Sequence, residues 1–343
     1  MRTETAETSL AVIGAGSWGT ALAIQFARAG HPTVLWGRAD DKPEQMAKDR
    51  CNTRYLPDCR FPDELLVDGD LQRVINTNTD ILICVPSHAF RIVLEQVQPY
   101  LDKSKRISWA TKGFEQQSGK LPHQVALEVL GEGYPLAVLS GPTFATEVGA
   151  GLPTAITVAS PKPEFAGQLA ERISNAQCRA YTSDDIIGVE VGGAVKNVLA
   201  IAAGMSDGLG YGANARIALI SRGLNEMTRL GVALGAKAET FMGLSGMGDL
   251  VLTCTDNQSR NRRMGLALAS GRSAAEVAEE IGQVVEGVYA AQAVHTVATR
   301  EGVDMPICEQ VYRILYENAS ATDVVDKLMS RALKPETESQ FCP

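Results

Sequence analysis

Histidine is scarce in this 343-residue chain, with four in all. Seven cysteines occur, at Cys51, Cys59, Cys84, Cys178, Cys254, Cys308 and Cys342, and none form a CxxC pair. Few imidazoles and no ligand spacing leave no metal site to expect. An odd number of scattered thiols reads as reduced cysteine in a cytosolic protein. Positive charge is also in deficit, the formal net charge being -8. A broad nucleic-acid surface needs a basic face, so no nucleic-acid partner is expected. A small anionic ligand stays compatible if cations are concentrated locally. Long charge-free apolar runs are missing too. The best candidate, IIGVEVGGAVKNVLAIAAGM at 186–205, contains Glu190 and Lys196. Its uncharged part is too short for a bilayer, so it reads as a buried helix, with no stable membrane insertion. The opening MRTETAETS has no apolar core, so a signal peptide is not expected. No basic amphipathic anchor is visible either. Cytoplasmic location is the expectation.

What is present is an ordinary globular composition, 45% hydrophobic and 21% charged, in a length that suits two domains. The first half alternates strand and helix signals. Apolar runs at Leu10–Ile13, Thr33–Trp36, Ile81–Val85, Ile107–Thr111 and Leu136–Leu139 have strand length. Thr20–Ala29 and Leu121–Leu130 have helical spacing, and Ala155–Ala159 and Arg179–Thr182 extend the sheet. Such alternation implies a Rossmann-like, doubly wound parallel α/β sheet. From about Asp185 the pattern is all-α, with helices expected over 185–204, 214–234, 260–270, 274–281, 286–301, 307–318 and 322–332. The expected domains are therefore 8–185 and a C-terminal helical domain, 186–333, with flexible tails at 1–7 and 334–343.

VIGAGSWGTALA, at 12–23, places a GxGxxG turn after a strand and at the start of a helix, the context a dinucleotide site requires. Gly14 allows the tight turn, Gly16 clears the approach of a pyrophosphate, and Gly19 lets helix and strand pack closely. The helix N-terminus then faces the anion. In GHPTVLWGR the place of the usual ribose-binding acid is held by Gly37, with Arg38 next. Nothing there repels a 2′-phosphate, and a guanidinium is at hand to pair with one. NADP(H) is thus expected to be accepted. Asp40 or Asp41 is the acidic alternative if the strand ends later.

Other marked loops follow the remaining strands: Pro86-Ser87-His88, Lys112-Gly113 and Ser140-Gly141-Pro142-Thr143. In a doubly wound sheet all would gather at the carboxyl edge, where ligands bind. In the helical half, Lys196 sits among small apolar neighbours in VGGAVKNVLAIAAG. Desolvation there suits a general acid/base, and a lysine snorkelling to the surface is the alternative. DNQSRNRRMGLALA puts Arg260, Arg262 and Arg263 in a first helical turn, with Asn257 or Ser259 as cap. Cations are unfavourable there unless an anion such as a substrate phosphate is bound, a solvated basic patch being the alternative. Asp249, in SGMGDLVLT, reads as a helix cap or a polar site residue.

GAGSWGTA, VPSHAF, WATKGF, SGPTFATEV, GGAVKNVLAI, GLSGMGDLVLTCTDNQSRNRR and GQVVEG, in this order between about 10 and 290, resemble bacterial NAD(P)-dependent glycerol-3-phosphate dehydrogenase. The resemblance implies reversible reduction of dihydroxyacetone phosphate to sn-glycerol 3-phosphate, which feeds phospholipid synthesis. It implies NADP(H) or NAD(H) as cofactor, a homodimer, and Lys196 as general acid/base. Substrate contacts implied are Lys112, Gly141, Thr143, Lys196, Asp249, Ser259, Arg260 and Asn261. Cofactor contacts implied are Ser17, Trp18, Arg38, Lys112, Ala145, Arg260, Val284 and Glu286, beside the turn's Gly14, Gly16 and Gly19. Thr143 stands where many relatives have Ser and keeps the hydroxyl. Two other readings share parts of this pattern: a two-domain keto-acid reductase, which needs no phosphate site, and a non-catalytic NAD(P)H sensor, which needs no Lys196.

Overall fold

Uncharged four-residue runs become inner strands because both their faces can be buried. The computed structural model describes residues 9–320 together with Val324, Lys327 and Ser330. The strands are β1 Leu10–Ile13, β2 Thr33–Trp36, β3 Cys51–Asn52, β4 Leu56–Arg60, β5 Leu65–Asp68, β6 Asp80–Ile83, β7 Arg106–Trp109, β8 Leu136–Ser140, β9 Thr154–Ala159 and β10 Cys178–Ser183. Between them lie α1 Ser17–Arg28, α2 Pro43–Asp49, α3 Leu71–Thr77, α4 Phe90–Val97, α5 Pro122–Leu130, α6 Ala145–Ala150 and α7 Pro163–Ile173.

Eight strands form one sheet in the order β10-β9-β8-β7-β6-β1-β2-β5, and β3 pairs with β4 as a separate hairpin. Alternate residues feed opposite layers. Leu10, Val12, Leu35 and Leu82 pack with Leu22, Phe26 and Leu169 in one cluster. Ala11, Ile13, Ile81 and Ile83 pack with Phe90, Leu94 and Val125 in another. Both faces of the sheet are thus covered by helices. The pairs β1·β2, β1·β6, β6·β7 and β7·β8 are parallel, so the carboxyl ends of these five strands share one edge.

The sheet departs from a purely parallel one at β8 and β9, which run antiparallel. Only the short α6 lies between them, and it does not carry the chain back across the sheet, so β9 turns back beside β8. The outer strand β5 and the β3–β4 hairpin carry no signal that marked them beforehand. Their exposed positions break the apolar runs, as in β4 with Pro57, Asp58 and Arg60 outward.

The second half supplies α8 Ile186–Gly208, α9 Gly212–Ala233, α10 Asp249–Thr255, α11 Arg260–Ala269, α12 Ala274–Ile281, α13 Glu286–Glu301 and α14 Pro306–Tyr316, and no strand among the described residues. The chain divides into two compact units, Met1–Glu190 and Val191–Pro343, the division falling inside α8, past the expected boundary at 185. The short α10 is additional to the helices expected. The tails expected at 1–7 and 334–343 lie outside the described residues. So do all but Val324, Lys327 and Ser330 of the helix expected over 322–332.

Candidate active site

The glycine turn joins β1 to α1, with Gly16 at the helix N-cap. Gly14 has φ +119°, and a Cβ there would lie 2.5 Å from the Cys84 carbonyl oxygen. Only glycine fits such a turn. A Cβ on Gly19 would come within 1.9 Å of the Gly14 oxygen, so this glycine sets the closeness of helix and strand. Gly16 is different: a Cβ there meets nothing within 4 Å, and the space is open to a ligand. Ser17 begins α1 with its N–H groups unclaimed by helical carbonyls. Beside it, Trp18 Nε1 is a buried donor without a hydrogen-bond partner. An orphaned buried donor next to an open anion cradle fits a bound dinucleotide.

β2 ends at Trp36 as expected, so Gly37 and Arg38 follow directly at its carboxyl end. A Cβ on Gly37 would crowd Ala15 Cβ at 3.1 Å. The Arg38 side chain is 69% exposed, and its Nε lies 3.6 Å from Asp41. Asp41 is turned back: its Oδ2 accepts from the Arg38 N–H at 3.0 Å. Further along the same sheet edge, Lys112 Nζ donates to the Gly141 carbonyl at 3.4 Å, and Thr143 Oγ1 donates to it at 3.2 Å. Gly141 has φ +149°, and a Cβ would press on the β9 backbone at 3.2 Å. Ala145 opens α6. The parallel strands therefore gather the glycine turn, Arg38, Lys112, Gly141 and Thr143 along one edge of the first unit.

In the second unit Lys196 lies on α8, 7% exposed. Its ammonium donates to the Asp249 carboxylate and, at 3.1 Å, to Thr253 Oγ1. Thr253 Oγ1 in turn donates to the Asp249 carbonyl at 2.6 Å. Asp249 and Thr253 are one helical turn apart on α10 and so share a face. Asp249 is the first residue of α10, fully buried, and the cap is Gly248. The carboxylate faces the lysine rather than the helix N–H groups. Sequence reasoning missed Thr253, whose i+4 spacing from Asp249 becomes a signal only once α10 is recognised.

Glycines decide how near these helices come. A π-helical turn, Leu244–Gly248, precedes Asp249, and such turns recur at functional sites. A Cβ on Gly192 would sit 2.4 Å from the Ser245 carbonyl oxygen, so glycine in α8 admits this turn. On the same helix, a Cβ on Gly204 would sit 2.1 Å from the Arg262 oxygen, which brings α11 against α8. Next to Lys196, Asn197 Oδ1 accepts from Asn261 Nδ2 at 2.8 Å, and Asn261 Oδ1 accepts from the Gly287 N–H at 2.8 Å. The Asn261 side chain thus ties α8, α11 and α13 together.

Ser259 caps α11, its Oγ accepting from the Arg262 N–H at 3.2 Å. Asn257 does not cap; its Oδ1 accepts from Arg262 Nε at 3.0 Å. Arg262 is turned inward, donating also to Asp207 at 2.5 Å. Arg260, by contrast, is part-exposed and reaches Gln283 at 3.3 Å. The three arginines therefore divide: Arg262 braces the helix, Arg263 is exposed, and Arg260 stands at the helix N-terminus beside the first N–H groups. Val284 and Glu286, both half-buried, lie just before and at the start of α13. Among the described residues no group of three or more histidine, cysteine or acidic side chains gathers to hold a metal ion.

The profile described as NAD-dependent glycerol-3-phosphate dehydrogenase N-terminus matches residues 9–166, and the corresponding C-terminus profile matches 185–326. Over 333 residues the chain is 55% identical to glycerol-3-phosphate dehydrogenase (NAD(P)+) of Pseudoalteromonas translucida (strain TAC 125), covering 97% of this chain and 99% of that one. The crystal structure of glycerol-3-phosphate dehydrogenase from Coxiella burnetii is 48% identical, with a TM-score of 0.91 over 95% of this chain and 99% of that one. The enzyme of the same name from Saccharomyces cerevisiae is 28% identical, with a TM-score of 0.81 over 93% and 98%.

Proposed function

Because the chain belongs to the NAD-dependent glycerol-3-phosphate dehydrogenase family, we propose that it reduces dihydroxyacetone phosphate reversibly to sn-glycerol 3-phosphate with NAD(P)H. The observation that carries the mechanism is Lys196, buried and held by Asp249 and Thr253. A dinucleotide held at the glycine turn would supply the hydride that the C2 carbonyl carbon takes up. Lys196, as the ammonium, stabilises the developing negative charge on the C2 oxygen and gives it a proton. In the oxidative direction neutral Lys196 takes the proton from the hydroxyl. Asp249 and Thr253 fix the lysine, Lys112 adds positive charge, and Gly141 and Thr143, in the loop after β8, contact the substrate. Ser259, Arg260 and Asn261 hold the phosphate at the α11 N-terminus, which orients C2.

The glycine turn with Ser17 and Trp18 takes the pyrophosphate side of the cofactor, and Arg38 takes a 2′-phosphate. Lys112, Ala145, Arg260, Val284 and Glu286 complete the cofactor contacts. The dinucleotide domain is 8–185 and the helical domain 186–333. The same reading includes supply of a glycerophospholipid precursor, a homodimer, and work in the cytoplasm without membrane insertion. The one helix among the described residues long and apolar enough to cross a bilayer, Ile186–Gly208, is 94% buried over its most apolar window.

The test follows loss of reduced-nicotinamide absorbance with dihydroxyacetone phosphate, for the unaltered protein and Lys196→Ala. Turnover in the variant is expected to fall by about a thousandfold, within the range of lost acid/base catalysis, with NADPH still bound. Near-normal turnover would remove Lys196 from the mechanism. No turnover by the unaltered, NADPH-binding protein would discard the substrate. Sedimentation of the purified protein tests the homodimer.

A further inference from the structure

The β3–β4 hairpin takes no part in the chemistry above, yet it reaches the glycine turn. Asn52, 2% exposed, ends β3. Its amide nitrogen donates to the Ala15 carbonyl at 2.8 Å and to Thr20 Oγ1 at 2.9 Å. Its Oδ1 accepts from the Tyr55 N–H at 3.3 Å. A carbonyl on one side and an N–H on the other leave the amide one orientation.

Ala15 lies between Gly14 and Gly16, and the Ala15–Gly16 peptide plane turns about Ala15 ψ and Gly16 φ, the latter a glycine torsion with wide conformational freedom. Such a plane is soft and needs an external hold. In a trans peptide the carbonyl and the following N–H point in opposite directions, and no described peptide bond is cis. With its oxygen drawn onto Asn52, this peptide turns the Gly16 N–H away from the hairpin.

The hairpin itself is well anchored. Leu56, Cys59 and Phe61 are buried in the core cluster that contains α1. Arg50 donates to the Leu65 carbonyl at 2.8 Å, tying the hairpin to β5. A Cβ on Gly149 would lie 2.8 Å from Cys59 Sγ, so α6 closes on the hairpin from outside. Arg28 of α1 clasps the end of α6 through the Val148 and Gly149 carbonyls, at 3.1 and 2.7 Å.

We propose that Asn52 is a positioning residue for the dinucleotide, holding the Ala15–Gly16 peptide so that the Gly16 N–H faces the pyrophosphate. The proposal rests on the reading of the glycine turn as the cofactor site.

The test compares Asn52→Ala, Asn52→Leu, Thr20→Val and Gly16→Val in the full-length enzyme. NADPH Kd is measured by tryptophan fluorescence quenching, the two KM values by turnover, and Tm by thermal unfolding. Asn52→Ala is expected to raise the NADPH Kd about tenfold, the scale of one lost charge-directed hydrogen bond, with KM for dihydroxyacetone phosphate within about twofold. Asn52→Leu keeps the volume without the donor and is expected to show the same loss, which covers a failure of the alanine variant to fold. Thr20→Val keeps the Ala15 contact and is expected to lose stability but not affinity. NADPH affinity unchanged on removing Asn52 overturns the proposal, as does an equal loss in Thr20→Val, which marks a merely structural role. Unchanged affinity in Gly16→Val would instead remove the turn from cofactor binding and defeat the reading beneath.

Discussion

Gly192→Ala tests whether the closeness of α8 to the π-helical turn sets the lysine-carboxylate pair. In an exposed helix interior this change gains about 1 kcal/mol of helix propensity. At Gly192 the new Cβ would lie 2.4 Å from the Ser245 oxygen and 3.2 Å from its carbonyl carbon. Ordinary Cβ contacts begin at 3.4 Å, so the turn must retreat by about 1 Å. The obstacle is backbone, which has no rotamer to move aside. Overpacking of this kind costs about 1–3 kcal/mol and exceeds the propensity gain. Ser245 precedes Asp249 by four residues, so the retreat draws the carboxylate from Lys196. A 1 Å misplacement of a catalytic constellation lowers turnover by about a hundredfold. Steady-state reduction of dihydroxyacetone phosphate with saturating NADPH reads kcat, and thermal unfolding reads the fold. NADPH affinity is expected to stay constant. Gly167→Ala is the comparator: it lies in α7, and a Cβ there meets nothing within 4 Å, so it is expected to stabilise without changing kcat. A folded Gly192→Ala variant with kcat within about twofold of the unaltered enzyme would refute the geometric argument.

Arg38→Ala is expected to weaken NADPH several-fold and leave NADH nearly unchanged, because its exposed pair with Asp41 contributes little to stability; equal effects on the two cofactors in binding titrations would reject the 2′-phosphate contact. With NADPH held saturating, so that loss of its cofactor contact does not enter, Arg260→Ala is expected to raise KM for dihydroxyacetone phosphate by about tenfold or more, on the scale of a charge-assisted contact, with unphosphorylated dihydroxyacetone unaffected; parallel losses on both at saturating NADPH would refute the phosphate site. Glu226 accepts from the Ile307 and Cys308 N–H groups at 2.7 and 3.1 Å at the start of α14, and burial pushes its carboxyl up to about 7. From about 4.5 to about 7 the folded protein keeps a proton that the unfolded chain has released. Its contribution is therefore full below about 4.5 and is lost as pH rises through about 7, an effect on the order of 3 kcal/mol. Glu226→Gln is expected to flatten the fall in Tm across that window, and an unchanged slope would contradict it.

Strands β1 and β2 fall on the residues their apolar runs mark, because local composition decides burial on both faces. The start of α11 was legible for a related reason: Ser259 is a cap signal lying next to the end it sets. The direction of β9 was not legible. An apolar run has no sense, and only the pairing with β8 reverses it. The short α10 escaped because seven residues show too little periodicity, and with it went the i,i+4 relation of Asp249 and Thr253.

The amino-acid order alone thus determined the order of elements, the glycine turn, and Lys196 in a run of small residues. Each is a property of neighbours along the chain. Tertiary structure alone decided that Asp249 faces Lys196 rather than capping its own helix, that Arg262 is spent on Asp207, and that Asn52 grips Ala15. Those contacts join residues 53, 55 and 37 positions apart. They depend on how closely backbones approach, at Gly192 and Gly204 most directly, and no periodicity within a single element records that distance.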